Sequence, residues 1–163
     1  MDRAYQISWL LERYGGLLRG LVGVPLEQAW LVLDEPNMVI HPASPIVLNL
    51  GGTQVELWSV YLTDFTMTSG EIDIRQAPFN WNGESPFGAA WSTDASPLVA
   101  SRVGRVVSAV TFLSEPANHC RGVEIQFFDG SLLVVANYFD ELFLGDEVPS
   151  DFGFARTAVG RPC

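Results

Sequence analysis

Apolar and polar positions follow a helical period at the start of the chain and a strand period over much of the rest. Between about residues 4 and 21, apolar side chains recur at spacings of three and four, which places them on one stripe of an amphipathic helix. Gly15 and Gly16 weaken the middle of this helix and offer a point where it could end. We expect the stripe to be part of the core. Its residues are Ile7, Leu10, Leu11, Tyr14, Leu17, Leu18 and Leu21.

A β-rich pattern then occurs twice. QAWLVLDEP at 28–36 matches SAVTFLSEP at 108–116 in four positions, and the dipeptide Val-Gly precedes both copies. A pair of alternating apolar segments around a glycine-containing turn follows each copy. We therefore predict an internal repeat, with units at about 22–62 and 103–139 that each contain three strands.

The glycine-containing turns predict the register of a β-hairpin in each unit. In the first unit, a turn at Gly51-Gly52 pairs Leu48 with Val55 and Ile46 with Leu57 on one apolar face, while Glu56 lies on the opposite face. In the second unit, a two-residue turn at Asp129-Gly130 pairs Phe127 with Leu132, Ile125 with Val134, and Val123 with Ala136.

A third hairpin is predicted between the two units. The segment FTMTSGEIDI, with a turn at Ser69-Gly70, pairs Phe65 with Ile74 and Met67 with Ile72. Together with the two units it gives about eight strands, mostly antiparallel. Two meanders with one apolar face each bury those faces against each other or close into a barrel. We predict a single α+β domain over residues 1–163, sandwich-like or barrel-like, with an N-terminal helix.

Residues 75–97 have no clear period and are interrupted by proline and glycine. They nevertheless carry four large aromatic rings, and long segments of this kind are often functional. One interpretation is a binding loop for a protein partner or a sugar-like ligand, since tryptophan is enriched at interface hot spots. The other is a loop whose rings plug one end of the core. The four rings are Phe79, Trp81, Phe87 and Trp91.

The charge of the chain limits its partners. There are 19 acidic residues against nine basic ones, all of them arginine, so the formal net charge is −10. This charge disfavours nucleic acids, whose binding needs a cationic surface, and anionic membranes. It favours association with a basic protein, although acidity also serves solubility alone.

The compartment is predicted from what the chain lacks. No stretch reaches the roughly 18 apolar residues of a membrane span. The N-terminus MDRAYQ has no apolar run typical of a secretory signal. We expect a cytoplasmic protein in which Cys120 and Cys163 are reduced.

The acidic residues are concentrated in the segment DELFLGDEVPSD. Its carboxylates come as adjacent pairs separated by Leu142, Phe143 and Leu144, which does not fit the alternating ligands of a calcium loop. A glycosidase-like carboxylate pair is conceivable, but nothing identifies which pair it is. A contact surface for a basic partner and a solvated face are the remaining interpretations. The residues are Asp140, Glu141, Asp146, Glu147 and Asp151.

Catalytic and metal chemistry have little support in the sequence. Adjacent side chains in an extended segment point to opposite faces, so His119 and Cys120 do not form a nucleophile–base pair. Together with His41 and Cys163 they lack the close-paired spacing of a zinc site. We predict no catalytic residue, no metal site and no cofactor.

Residues 103–142 resemble a motif of small bacterial proteins. The motif is VGRVVSAVTF followed by GVEIQFFDGSLLVVANYFDEL, and many of the proteins that carry it are immunity proteins of polymorphic-toxin and contact-inhibition systems. The resemblance implies a non-enzymatic acidic protein that neutralises a toxin, with the acidic segment in a basic groove of that toxin.

Three other functions remain open. One is a small-molecule-binding barrel or sandwich with the aromatic loop as its lid. Another is a structural homodimer joined through sheet edges. The least favoured is a carboxylate-dependent hydrolase.

Overall fold

Two antiparallel β-sheets pack face to face, with an N-terminal helix against their shared core. The computed structural model describes residues 3–60, 64–79, 83–85, 88–115, 118–138 and 141–160. The predicted fold class is therefore confirmed, and of its two variants the sandwich is correct. No helix in the described ranges is long and apolar enough to cross a membrane.

The two halves of the chain contain the same kinds of elements. The first half consists of a 3-10 turn (Arg3–Tyr5), α1 (Ile7–Gly20), β1 (Leu26–Asp34), β2 (Val39–Ile40), β3 (Ile46–Leu50), β4 (Thr53–Val60), β5 (Asp64–Thr68) and β6 (Ala89–Ser92). The second half consists of α2 (Pro97–Arg102), β7 (Val107–Glu115), β8 (His119–Phe127), β9 (Leu132–Tyr138), β10 (Glu141–Gly145), a 3-10 turn (Ser150–Phe152) and β11 (Ala155–Ala158).

The described residues thus form eleven strands rather than about eight. In the first sheet, β1, β3, β4 and β5 form a meander, and β1 also pairs with β2 and β6. The second sheet has the order β10-β9-β8-β7-β11. The strands missed in the sequence are short and lie at the margins of the sheets, where the alternation of apolar residues is weak.

The apolar stripe of α1 faces the core, as predicted. Ile7, Leu10, Leu18 and Leu21 are buried, and the other three residues of the stripe pack against the same core. The helix continues through Gly15-Gly16 instead of ending there.

The N-terminus of α1 is capped by the second half of the chain. The main-chain carbonyl oxygen of Asn118 accepts a hydrogen bond from Ile7 N–H (2.9 Å), and its side-chain Oδ1 accepts one from Ser8 N–H (3.2 Å). These bonds satisfy two of the amides that every helix leaves unpaired at its N-terminus.

The two halves of the chain have the same order of elements, and the internal repeat itself stays a prediction. A helix, a four-stranded meander and a further strand that returns to the first strand occur in both halves, since β6 pairs with β1 and β11 with β7. The strands β2 and β3 together take the place of β8. The turns that lead into β2 and β8 contain Met38 (φ 54°) and Asn118 (φ 70°), which have the same left-handed backbone at matching positions.

The two units bind each other through a reciprocal bridge at their repeated Val-Gly dipeptides. Gly23 donates its N–H to Val107 O (2.8 Å), and Gly104 donates its N–H to Leu26 O (2.7 Å). Both glycines have φ near +90°, a conformation that is strained for other residues. Two further bonds complete the set, from Val107 N–H to Val24 O and from Leu26 N–H to Arg105 O, each 2.9 Å.

The predicted register is correct in the first hairpin and wrong in the second. Ile46 pairs with Leu57 and Leu48 with Val55, as expected. In the second hairpin, the predicted pairs Phe127–Leu132, Ile125–Val134 and Val123–Ala136 are each displaced by one residue, because Val123 pairs with Val135 and Ile125 with Leu133. The cause is a three-residue loop in place of a two-residue turn. In this loop Phe127 donates its N–H to Ser131 O (2.9 Å), and Gly130 has φ +85°.

The third hairpin is not formed. Phe65 pairs with Ser59 and Met67 with Leu57, so β5 extends the first meander instead of pairing with Ile74 and Ile72. Residues 71–74 form no strand, because the N–H groups of Glu71 and Ile72 donate to the buried carboxylate of Glu56.

Candidate interaction site

Two equivalent segments cover the outer faces of the sheets. Residues 69–79, the first strap, leave β5 and lie on the first sheet before the chain reaches β6. Residues 146–154, the second strap, connect β10 at one edge of the second sheet with β11 at the other. The candidate residues that the structure describes lie on these straps, on β6 or in β10.

The first strap is held by a small second core. Phe79 packs against Trp58, with ring centroids 5.8 Å apart, and Ile72 is buried beside them. Trp91, in β6, donates its Nε1–H to Gln76 O (3.0 Å). Phe79 and Trp91 therefore cover the outer face of a sheet rather than plug one end of the main core. Trp81 and Phe87 lie outside the described residues.

A fully buried carboxylate fixes the start of this strap. Glu56 Oε1 accepts the N–H groups of Glu71 (2.9 Å) and Ile72 (3.1 Å) and the side-chain amide of Gln54 (2.6 Å). Its Oε2 accepts the hydroxyl of Thr68 (2.8 Å), which in turn accepts Trp58 Nε1–H (2.8 Å). A carboxylate with this many donors is satisfied without a cation, so we assign Glu56 a structural role.

The second strap packs half-buried aromatic residues against the sheet and exposes carboxylates. Phe152 stacks on Tyr138 (centroids 4.2 Å apart), and Phe154 lies over the buried guanidinium of Arg121. Arg121 also forms an ion pair with Glu115. These contacts turn one side of the strap toward the sheet and leave its other side in solvent.

The exposed side of the second strap is acidic. Asp146, Glu147 and Asp151 are all exposed, and no hydrogen bond or ion pair involves their side chains within the described parts of the chain. Asp140 and the side chain of Glu141 lie outside what the structure describes. The three described carboxylates are therefore available to a partner.

A groove opens along β10, the strand that Asp146 and Glu147 follow. Its volume is about 660 Å³, and it is lined by Val39 and Ile40 of β2, by Pro42, by residues 95–97 and by residues 142–144 of β10. The lining is mostly apolar, and Val39 is 52% exposed. Its three stretches are far apart in the sequence, which is why sequence analysis missed it.

The remaining titratable groups have structural surroundings. Burial raises the pKa of the Cys120 thiol to about 12, which suppresses the thiolate a nucleophile requires. His119 contacts a carboxylate, since its Nε2 lies 2.8 Å from Asp64 Oδ1. His41 Nδ1 lies 3.0 Å from the hydroxyl of Ser44, which is buried. Among the described residues, no three His, Cys, Asp or Glu side chains are grouped so as to hold a metal ion.

The cavity between the sheets is too small for a ligand. A cavity of about 10 Å³ lies between the sheets and is lined only by apolar side chains, among them Leu18, Leu57 and Val123. This volume corresponds to about one water molecule. The groove and the second strap are therefore the better candidate for function.

Comparison with known protein families, curated proteins and solved structures finds no match to this chain. The resemblance to immunity proteins therefore stays a prediction.

Proposed function

We propose that this chain is a non-catalytic binding domain whose partner is a basic protein. The observation that carries the proposal is the exposure of three carboxylates on the second strap, of which Asp146 and Glu147 directly follow the β10 stretch that lines an open apolar groove. Protein interfaces combine an apolar centre with a polar or charged rim, and this region offers both.

Electrostatics supports a basic partner in particular. The chain has a net charge of −10, and its acidic residues outnumber its basic ones by two to one. Such a field accelerates the encounter with a cationic surface and disfavours acidic partners. Neutralisation of a basic toxin is the specific form of this function that the resemblance implies.

The small-molecule alternative is less well supported. A ligand pocket typically has a volume of about 300–1,000 Å³ and encloses most of its ligand. The enclosed cavity of about 10 Å³ is far too small, and the groove is open at the surface. An open groove bordered by a strand edge suits a polypeptide better than a small molecule.

The proposal is tested by capture followed by a charge variant. The tagged chain is immobilised, and proteins from its natural host are bound at low salt and released at high salt. Association of the captured basic protein is then measured with the triple variant D146N/E147Q/D151N. We expect association to slow by about tenfold and to depend less on salt, because steering is lost.

A matched variant controls for net charge. E12Q/E27Q/E71Q removes three exposed carboxylates elsewhere on the surface, and we expect a clearly smaller effect on the association rate. Equal effects of the two triple variants would show that the second strap has no special role. Failure to capture any basic protein would contradict the proposed function itself.

A further inference from the structure

The groove has an equivalent in the other half of the molecule, and that equivalent is closed. In the closed seam, the turn into β8 contacts the N-terminus of α1 through Asn118, and Gln6 forms an antiparallel bridge with His119. The 3-10 turn before α1 contacts β5, where Thr66 Oγ1–H donates to Ala4 O (2.6 Å). The chain's own residues 3–8 thus fill this seam.

In the second half, none of the described residues occupies the corresponding position. Three parts of the closed seam have counterparts that line the groove. Val39 corresponds to His119, Ser96 corresponds to the start of α1, and β10 corresponds to β5. Helix α2 is much shorter than α1, so the first turns of α1 and the extended residues before them have no counterpart here. The groove is therefore an open version of a seam that is closed by a polypeptide elsewhere in the fold.

The strand β10 offers free main-chain groups to a new strand. It is the edge of the second sheet, and among the described strands its partner is β9. Successive residues of a strand direct their N–H and C=O groups to alternate sides. The bond from Phe127 N–H to Ser131 O shows that residue 131, and therefore residues 133 and 135, point toward β8. The main-chain groups of Val134 and Ala136 therefore point toward β10. Their partners in β10 are Gly145 and Phe143, which leaves the N–H and C=O groups of Leu142 and Leu144 directed outward.

The charged residues that flank the lining segments in the sequence are acidic. Asp94 precedes the lining segment 95–97, and Asp146 and Glu147 follow β10; all three are exposed. No arginine lies within two residues of any lining segment. A second copy of this chain would bring two such acidic surfaces together, whereas a basic segment would complement them.

From this we propose, resting on the function proposed above, that the groove binds an extended basic segment of the partner, which adds to β10 as a further strand. Main-chain bonds to Leu142 and Leu144 provide affinity, as in other cases of strand addition. Alternate apolar side chains of the segment enter the groove. The intervening basic side chains face Asp146 and Glu147.

A synthetic peptide tests this directly. The peptide has alternating Arg and Val over about eight residues, enough to span β10, and is titrated into the ¹⁵N-labelled full chain up to about 1 mM. We expect amide shifts at Val39 and at 142–144. Two further peptides carry N-methyl groups, one on the odd-numbered and one on the even-numbered backbone nitrogens. Only one of them should bind about tenfold or more weakly, because in that peptide the methyl groups replace the N–H groups that face β10.

Two charge-matched variants locate the site. Val39→Arg introduces a cation into the groove, whereas Phe128→Arg introduces one at the hairpin loop, where the ring is 68% exposed. We expect the first to weaken peptide binding about tenfold or more and the second about twofold or less. An alternating Glu and Val peptide should cause no shifts in the groove.

Several results would overturn the inference. They are the absence of groove shifts at the highest peptide concentration, equal effects of the two variants, and indifference to nitrogen methylation in both registers. Concentration-dependent dimerisation that Val39→Arg abolishes would identify a second copy as the occupant. If the captured partner responds to D146N/E147Q/D151N but not to Val39→Arg, the groove assignment fails while the proposed function stands.

Discussion

Replacing Glu56 by alanine tests how the first strap is held on its sheet. The side chain is fully buried, and the substitution removes the acceptor of four donors: Gln54 Nε2–H, Thr68 Oγ1–H, Glu71 N–H and Ile72 N–H. Water can reach the amide of Glu71, which is an exposed residue. The hydroxyl of Thr68 can rotate to another acceptor. The side-chain amide of Gln54 keeps one N–H on Ile72 O (2.7 Å), but its second N–H and the buried Ile72 N–H each lose an acceptor.

The magnitude follows from these two donors. An unsatisfied buried donor costs about 1–3 kcal/mol, so Glu56→Ala should lower the free energy of unfolding by about 2–6 kcal/mol. A typical domain has about 5–15 kcal/mol in total, so the loss is a large share. Glu56→Gln retains the Oε1 acceptor and should cost less than about 2 kcal/mol, because only charge assistance and the bond from Thr68 change.

Two measurements check this expectation. Urea unfolding followed by tryptophan fluorescence gives the free energy of unfolding, and hydrogen exchange of the Ile72 amide reports on the strap itself. The control is Glu27→Ala, an exposed position on β1, which should stay within about 0.5 kcal/mol of the parent chain. A loss below about 1 kcal/mol for Glu56→Ala, or unchanged protection of Ile72, would refute the structural role of the carboxylate.

Two further predictions concern β8. Gly122→Ala should destabilise the fold by at least about 1–3 kcal/mol, because its Cβ would lie 2.5 Å from Val135 O and 2.6 Å from the Ala136 Cβ. Gly20→Ala, with nothing within 4 Å, should instead be neutral or stabilise by about 0.5–1 kcal/mol, and equal costs would contradict the packing at Gly122. Cys120, whose burial raises its pKa to about 12, should react with iodoacetamide at pH 8 about a thousandfold more slowly than in urea, and equal rates would show that the thiol is accessible. The folded state retains the thiol proton of Cys120 at a pH where the unfolded chain loses it. The contribution of Cys120 to the free energy of unfolding should therefore be complete below the ordinary thiol pKa of about 9 and decline as the pH rises toward 12.

Where the two faces of a strand differ, the sequence pattern determined the structure. In the first hairpin, Asn49 and Gln54 oppose each other on one face while Leu48 and Val55 share the other, so only one register buries the apolar set. The stripe of α1 is equally clear. Both features were predicted correctly.

Where both faces of a strand are apolar, the pattern does not determine the register. Leu133, Val134, Val135 and Ala136 are all buried, so β9 satisfies either register, and the choice rested on the turn alone. The loop around Gly130 holds one residue more than a two-residue turn, and the pairing moved with it. A local choice of loop length thus reversed the predicted faces of a whole strand.

Long-range contacts account for the other errors. Glu56 was placed correctly on the face opposite Leu48 and Val55, but nothing near it in the sequence shows that it binds the amides of residues 71 and 72. The exposure of Asp146, Glu147 and Asp151 agrees with what an acidic run predicts. The groove beside them depends on three distant segments and on the length difference between α1 and α2, which only the fold reveals.

The reciprocal bridge at Gly23 and Gly104 has a consequence for synthesis of the chain. The N–H of Leu26 needs the carbonyl of Arg105, and the first turn of α1 needs Asn118. A nascent chain that has only its first half outside the ribosome therefore cannot complete either, and the inner face of its sheet has no second sheet to cover it. Such a half-made protein exposes apolar surface until residues of the second half emerge, which makes translation speed and chaperone access part of its folding.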